Sequence, residues 1–206
     1  PFGPFQVINF FCTKPRVAAR PLMVVITTMT GKSLIDEMTL ALLMPRNDHT
    51  SRRGICIEDV FVMMEKPHCL VVGVGAGTGL ACVRRFVDGG YKVSMIARHE
   101  ERLLSFANST PHTMAYPSDL AEPDDYRATL RRIVDEQGLP KKVVYNAALA
   151  TFQPYSELDI DLFERNFRVN TTGLLVTAQE LAPQMVMAGD GALIITGNTG
   201  ASRGIP

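Results

Sequence analysis

Along residues 68–196 the chain alternates between two kinds of hydrophobic pattern. Short, nearly unbroken apolar runs at 68–73, 91–97, 112–116, 141–146 and 191–196 read as strands. Between them lie longer stretches with apolar residues on one helical face, at 77–88, 100–107, 122–137 and 156–188. Leu80, Val83 and Val87 recur in this way before Gly89-Gly90 stop the first helix. Strands that lack a polar face need cover on both sides, and strict strand–helix alternation implies a parallel sheet between two helical layers. Right-handed crossovers and a reversal after the third strand give the order 3-2-1-4-5, with a ligand crevice at the C-terminal strand ends beside strand one.

The first crossover carries the strongest chemical signal. Cys69-Leu-Val-Val-Gly73-Val-Gly75-Ala76-Gly77-Thr78-Gly79-Leu80 joins strand to helix through four glycines. A loop of this kind lets the backbone approach a ligand closely, while the helix aims its free N–H groups and positive dipole end at an anion. A dinucleotide pyrophosphate suits that seat. Two spacings compete: Gly73-xxx-Gly77-x-Gly79 suits a nicotinamide cofactor, and Gly75-x-Gly77-x-Gly79 suits S-adenosylmethionine in a methyltransferase. The acids a methyltransferase carries before the first glycine and after the second strand are absent, since those places hold Gly73 and Ala97-Arg98. At the tip of the second strand an Asp or Glu would bind a ribose 2′-hydroxyl, whereas Arg98 offers a bidentate fork for a 2′-phosphate, favouring NADP over NAD.

Further motifs follow in order. Ser118-Asp119-Leu120 closes the third strand, Tyr145-Asn146-Ala147-Ala148 the fourth, Phe167-Arg-Val-Asn170-Thr-Thr-Gly173 lies in the long helical stretch, and Thr196-Gly-Asn198-Thr199-Gly-Ala-Ser202-Arg-Gly204 follows the fifth strand. With the glycine loop, residues 66–206 resemble the short-chain dehydrogenase/reductase family. The resemblance implies a Rossmann-like α/β doubly wound sheet whose later strands are missing here. Asp119, with Leu120 beside it, would contact the adenine amino group. Asn146, Ala147 and Ala148 would line the cofactor's ribose side, with Tyr145 standing where the family has another Asn and Ala148 where it has Gly. Asn170 would be the helix-borne catalytic asparagine at a local break in helical bonding, where an Asn buried without partners would be costly. Asn198 falls at the position of the catalytic serine, with Thr199 and Ser202 nearby. The family's Tyr-xxx-Lys pair, the acid and the cation that lowers its pKa, is expected beyond Pro206, so the chain reads as a fragment that binds nucleotide without turnover.

Residues 1–63 carry no motif, and Met63-Met64 looks like a native start, so this segment reads as upstream sequence translated in frame or as an extension of a domain spanning 64–206. Within it, Pro21-Leu-Met-Val-Val-Ile-Thr-Thr is strand-like. Ser33 to Met44 has helical character and ends at Pro45.

Composition changes little in this picture. With 46% hydrophobic and 20% charged residues, and 21 acids against 21 Lys and Arg, the chain of 206 residues suits one globular domain. A net charge of zero gives no field for nucleic acid, and Arg84-Arg85, Glu100-Glu101-Arg102 and Arg131-Arg132 read as solvated helix faces. No apolar run approaches the ~20 residues of a membrane span; a cytoplasmic location is expected. Cysteines 12, 56, 69 and 82 lack paired spacing and read as reduced packing residues, and histidines 49, 68, 99 and 112 read as surface or turn residues, so no metal is expected. With Arg98 favouring NADP, the family resemblance implies an NADP-dependent oxidoreductase acting on a small-molecule carbonyl or alcohol, and the long helix, which resembles one that pairs across a two-fold axis in relatives, implies a dimer or tetramer of the complete protein. A methyltransferase and a non-catalytic nucleotide sensor or pseudoenzyme stand as alternatives.

Overall fold

The computed structural model describes residues 23–29 and 66–198. In chain order the elements are β1 (Met23–Met29), β2 (His68–Val72), α1 (Thr78–Asp88), β3 (Lys92–Ala97), α2 (Glu100–Ser109), β4 (Thr113–Pro117), α3 (Pro123–Gln137), β5 (Lys142–Tyr145), α4 (Ile160–Phe167), a π-helical turn at Arg168–Thr172, α5 (Gly173–Ala188) and β6 (Ala192–Asn198). The helix read at 33–44 lies outside the described residues.

The sheet runs β4-β3-β2-β5-β6-β1, and its pairs are all parallel. Its five later strands keep the expected order 3-2-1-4-5. The sheet does not stop there, however. β1 pairs with β6 from Met23↔Ala192 to Met29↔Asn198, so the strand beside the fifth comes from upstream of the glycine loop. The apolar run at 21–28 marks a strand, but its partner is set by an interaction across more than 160 residues of sequence that no local pattern encodes.

Every residue of β2 is buried, as expected of a central parallel strand. Alternate side chains enter opposite layers. Cys69 and Val71 pack with Leu80, Val83, Phe86 and Leu103 of α1 and α2, whereas Leu70 and Val72 pack with Tyr126, Leu130, Ile133, Val176, Leu181 and Met185 of α3 and α5. This is the period-two geometry of a strand set between two helical layers. Each fully buried aliphatic side chain contributes about 1.5–3 kcal/mol. Arg127 and Arg131 of α3 both pair with Glu180 of α5, tying the second layer together.

Two sequence expectations need correction. The long helix begins at Ile160 rather than near 156, because Asp159 accepts the Leu162 amide at 2.9 Å as an N-cap and residues 155–157 form a turn. His68 is neither a surface nor a turn residue. It lies in β2, only 4% exposed, with Nδ1 2.7 Å from the Gly138 carbonyl and Nε2 2.8 Å from Ser94 Oγ. A carbonyl only accepts, so Nδ1 carries the proton and Nε2 accepts from the serine. Cys69 and Cys82 are free and buried, and burial raises both thiol pKa values, Cys82 to about 11.

Candidate nucleotide-binding site

The crevice forms where β2, β3, β4 and β5 end. Gly73 turns the chain out of β2 with φ of 86°, and the amides of Gly73 and Val74 both donate to the Ile96 carbonyl at the end of β3. A β-carbon at Gly73 would collide with the backbone of Ala147, and one at Gly79 would lie 2.6 Å from the Gly73 carbonyl oxygen. These two glycines are demanded by the protein's own packing. Gly75 and Gly77 differ, for a β-carbon at either position meets no heavy atom within 4 Å. The space they leave open adjoins the N-terminal end of α1, where the helix dipole favours an anion. The loop thus has a cradle that the protein does not fill itself.

Gly73, Gly75, Arg98, Asp119, Leu120, Asn146, Ala147 and Ala148, all singled out from sequence, line one cleft of about 210 Å³. That is below the roughly 300–1,000 Å³ of an enclosed small-molecule pocket. Ala76, Gly77, Thr78 and Gly79 sit beside the cleft, where α1 begins. Asn198 ends β6, and Thr199 and Ser202 lie outside the described residues.

Asn146 acts as a tie between strands. Its backbone amide donates to Val72, its side-chain amide donates to the Gly73 carbonyl at 2.9 Å, and its Oδ1 accepts from Thr196 at 3.2 Å. The ends of β2, β5 and β6 are thereby held together. Asp119 is also engaged on both oxygens: Oδ1 accepts the Ala121 amide at 3.0 Å and Oδ2 accepts from Arg165 of α4 at 2.5 Å. Burial works to raise the Asp119 pKa, but the Ala121 amide, the Arg165 guanidinium and the charge of Arg98 together bring it below the ordinary carboxylate value.

Asn170 is exposed rather than buried, and its side-chain amide is engaged at both its oxygen and its nitrogen. It lies in the π turn at 168–172, where Oδ1 accepts the Leu149 amide at 2.8 Å and Nδ2 donates to the Leu149 carbonyl at 2.7 Å. The break in helical bonding expected here is present. The side chain uses it to clamp the segment that leaves β5.

Several contributors escaped the sequence reading. His99 and Arg102 line the cleft beside Arg98, although Arg102 read as part of a solvated helix face. Its signal was its place one turn beyond Arg98, at the start of α2, which points it back toward the strand tip. Arg165 and Leu149 bear no motif and are recognisable only once α4 packs over the strand ends. Among the described residues no three His, Cys, Asp or Glu side chains converge as a metal-ligand set, and no helix is long and apolar enough to cross a membrane.

The profile of the short chain dehydrogenase family matches residues 67–206. The chain belongs to this family. Sulfoacetaldehyde reductase 2 of Chromohalobacter salexigens is 30% identical over 142 residues, which cover 66% of this chain and 54% of the relative. D-erythrulose reductase of Gallus gallus is 31% identical over 134 residues, covering 65% and 53%. A short-chain dehydrogenase/reductase mutant of Serratia marcescens has a similar solved structure, with a TM-score of 0.63 and 27% identity over 68% of this chain and 58% of that one. The chain spans about half the length of the curated relatives it matches. The family binds NAD(P), and the match falls on the dehydrogenase side of the two readings of the glycine loop.

Proposed function

We propose that the protein is an NADP-dependent oxidoreductase acting on a small-molecule carbonyl or alcohol. The observation that carries this reading is the convergence of the open cradle at Gly75 and Gly77 with Arg98, Arg102 and Asp119 on one cleft at the C-terminal edge of the sheet. An accidental glycine turn has no reason to be joined by a phosphate-binding pair of guanidiniums at the next strand tip and a carboxylate at the one after.

In this reading the amides at the start of α1 bind the pyrophosphate and Arg98 and Arg102 bind the 2′-phosphate as bidentate forks. Asp119 keeps acceptor capacity on each oxygen for the adenine amino group, and Ala147 and Ala148 leave room for the ribose. When bound, the nicotinamide supplies or accepts a hydride. Asn170 and Asn198 are the catalytic candidates this chain carries, the first through the turn it occupies and the second through an amide able to donate to a substrate oxygen. None of the tyrosines in this sequence is followed four positions later by lysine, and the proton-transfer step is not assigned to any of them. The large exposed side chains Ile160, Phe163 and Phe167 of α4 and Leu175 of α5 support assembly into a dimer or tetramer.

Titration with NADPH, NADH and S-adenosylmethionine tests the reading. NADPH should quench or enhance its own fluorescence on binding, with NADH weaker, and Arg98→Asp should erase the preference. Tight binding of S-adenosylmethionine without NADPH, or no binding of any of the three, would overturn it.

A further inference from the structure

The turn at 168–172 leaves one helical hydrogen bond to be replaced. In an α-helix the Gly173 amide would donate to the Val169 carbonyl, four residues back. Here it donates to Arg168, five residues back, which is the pattern of a π turn. Val169 is 6% exposed, and a buried carbonyl needs a donor. The donor is the hydroxyl of Tyr145, at the end of β5, which reaches the Val169 carbonyl oxygen at 2.5 Å.

Gly173 completes the arrangement. A β-carbon at this position would collide with the Tyr145 hydroxyl, so the phenol and the glycine fit only as a pair. The turn next passes the constraint on. Asn170, one residue after Val169, holds both the amide and the carbonyl of Leu149. Tyr145 and Leu149 flank the segment Asn146-Ala147-Ala148, so this stretch of cleft wall is anchored at both ends to one π turn. Both anchoring partners, Val169 and Leu149, line the cleft themselves.

We propose that Tyr145 is a positioning residue for the nucleotide cleft: its hydroxyl fixes the π turn, and the turn, through Asn170, fixes the wall from Asn146 to Leu149. The departure at 145 from the family pattern, Tyr in place of Asn, is then part of how this chain shapes its site. The inference rests on the nucleotide reading of the cleft, but its first arm does not need a ligand.

Hydrogen–deuterium exchange of the ligand-free protein reads the coupling directly. Tyr145→Phe, which keeps the buried ring and removes the donor, should speed exchange at the Leu149 and Gly173 amides while β2 and β3 stay protected. NADPH should bind about three- to tenfold more weakly, the loss of one neutral hydrogen bond. Asn170→Ala should weaken NADPH to a similar degree, and the double variant should be scarcely weaker than either alone, because the two act on one wall. Gly173→Ala should loosen the same amides, and adding Tyr145→Phe should partly restore it by removing the atom in collision. Unchanged Leu149 exchange in Tyr145→Phe, or fully additive losses in the double variant, would overturn the proposal. Failure of the unaltered protein to bind NADPH would instead overturn the function above, with the exchange result still deciding whether Tyr145 governs the turn.

Discussion

Asp119 and Arg165 are hydrogen-bonded across 46 residues of sequence, and this bond docks α4 onto the strand tip where the adenine is expected. α4 buries none of its own residues, so a polar tie does for it what apolar packing does for the other helices. The pair is about one-third exposed on both sides, which limits its contribution to less than about 1 kcal/mol. Arg165→Ala should therefore leave the global stability almost unchanged. It should raise the Asp119 pKa toward the ordinary carboxylate value, since one of the groups that lowers it is gone. A carboxyl carbon NMR titration of the variant checks this, and an unmoved Asp119 midpoint would show that the Ala121 amide and the charge of Arg98 set it without Arg165.

His68 gives stability a pH dependence of known sign. Burial pulls its pKa down to about 4 from the reference 6.5, against the opposing pull of the Gly138 carbonyl. At pH 7 both folded and unfolded forms are neutral and the stability is complete. Below 6.5 the unfolded chain takes up a proton that the folded chain refuses, so stability falls until about pH 4 and levels off beyond it. The full loss is on the order of 3 kcal/mol. Urea unfolding at pH 7, 5.5 and 4 should show the decline, and His68→Gln should flatten it across that window.

Arg102 should share the task assigned to Arg98. Both are exposed and both line the cleft, so removing either charge costs little in folding. Charge-assisted hydrogen bonds are worth roughly 1.5–3 kcal/mol, and Arg102→Ala should weaken NADPH by about 10- to 100-fold while changing NADH by less than about threefold. Equal losses for the two nucleotides would place Arg102 away from the 2′-phosphate.

The four glycines of the loop should separate into two classes. Gly73→Ala forces a β-carbon into the Ala147 backbone at a positive φ, and a strained backbone of this kind costs on the order of 1–3 kcal/mol before any clash. Gly75→Ala meets nothing within 4 Å and should leave thermal stability close to the original, yet it puts a methyl group in the space proposed for the pyrophosphate. Thermal melts with and without NADPH distinguish the two: the first variant loses stability in both, the second loses only the ligand-dependent part.

Much of this was legible in the chain itself. The alternation of all-apolar runs with amphipathic ones identifies a covered parallel sheet because burial on two faces and burial on one leave different periods. Gly73 and Arg98 could be placed at the cleft for a related reason: a tight strand-to-helix turn and the tip of the next strand are local features, fixed by a few consecutive residues. Asn170 was found by motif, but its exposure and its grip on Leu149 were not, since a hydrogen bond spanning 21 residues depends on how α4 and α5 settle over β5.

The sequence by itself determined the strand order of the nucleotide-binding core and the edge on which its chemistry gathers, because hydrophobic period and glycine spacing act within a single crossover. Tertiary structure decided the rest: that β1 joins β6, that His68 is buried against Ser94 and Gly138, that Arg165 holds Asp119, and that the Tyr145 hydroxyl completes the turn at Val169. Each is a contact between elements distant in sequence, and its partner is chosen by which groups the packed layers bring within hydrogen-bonding reach and leave without water.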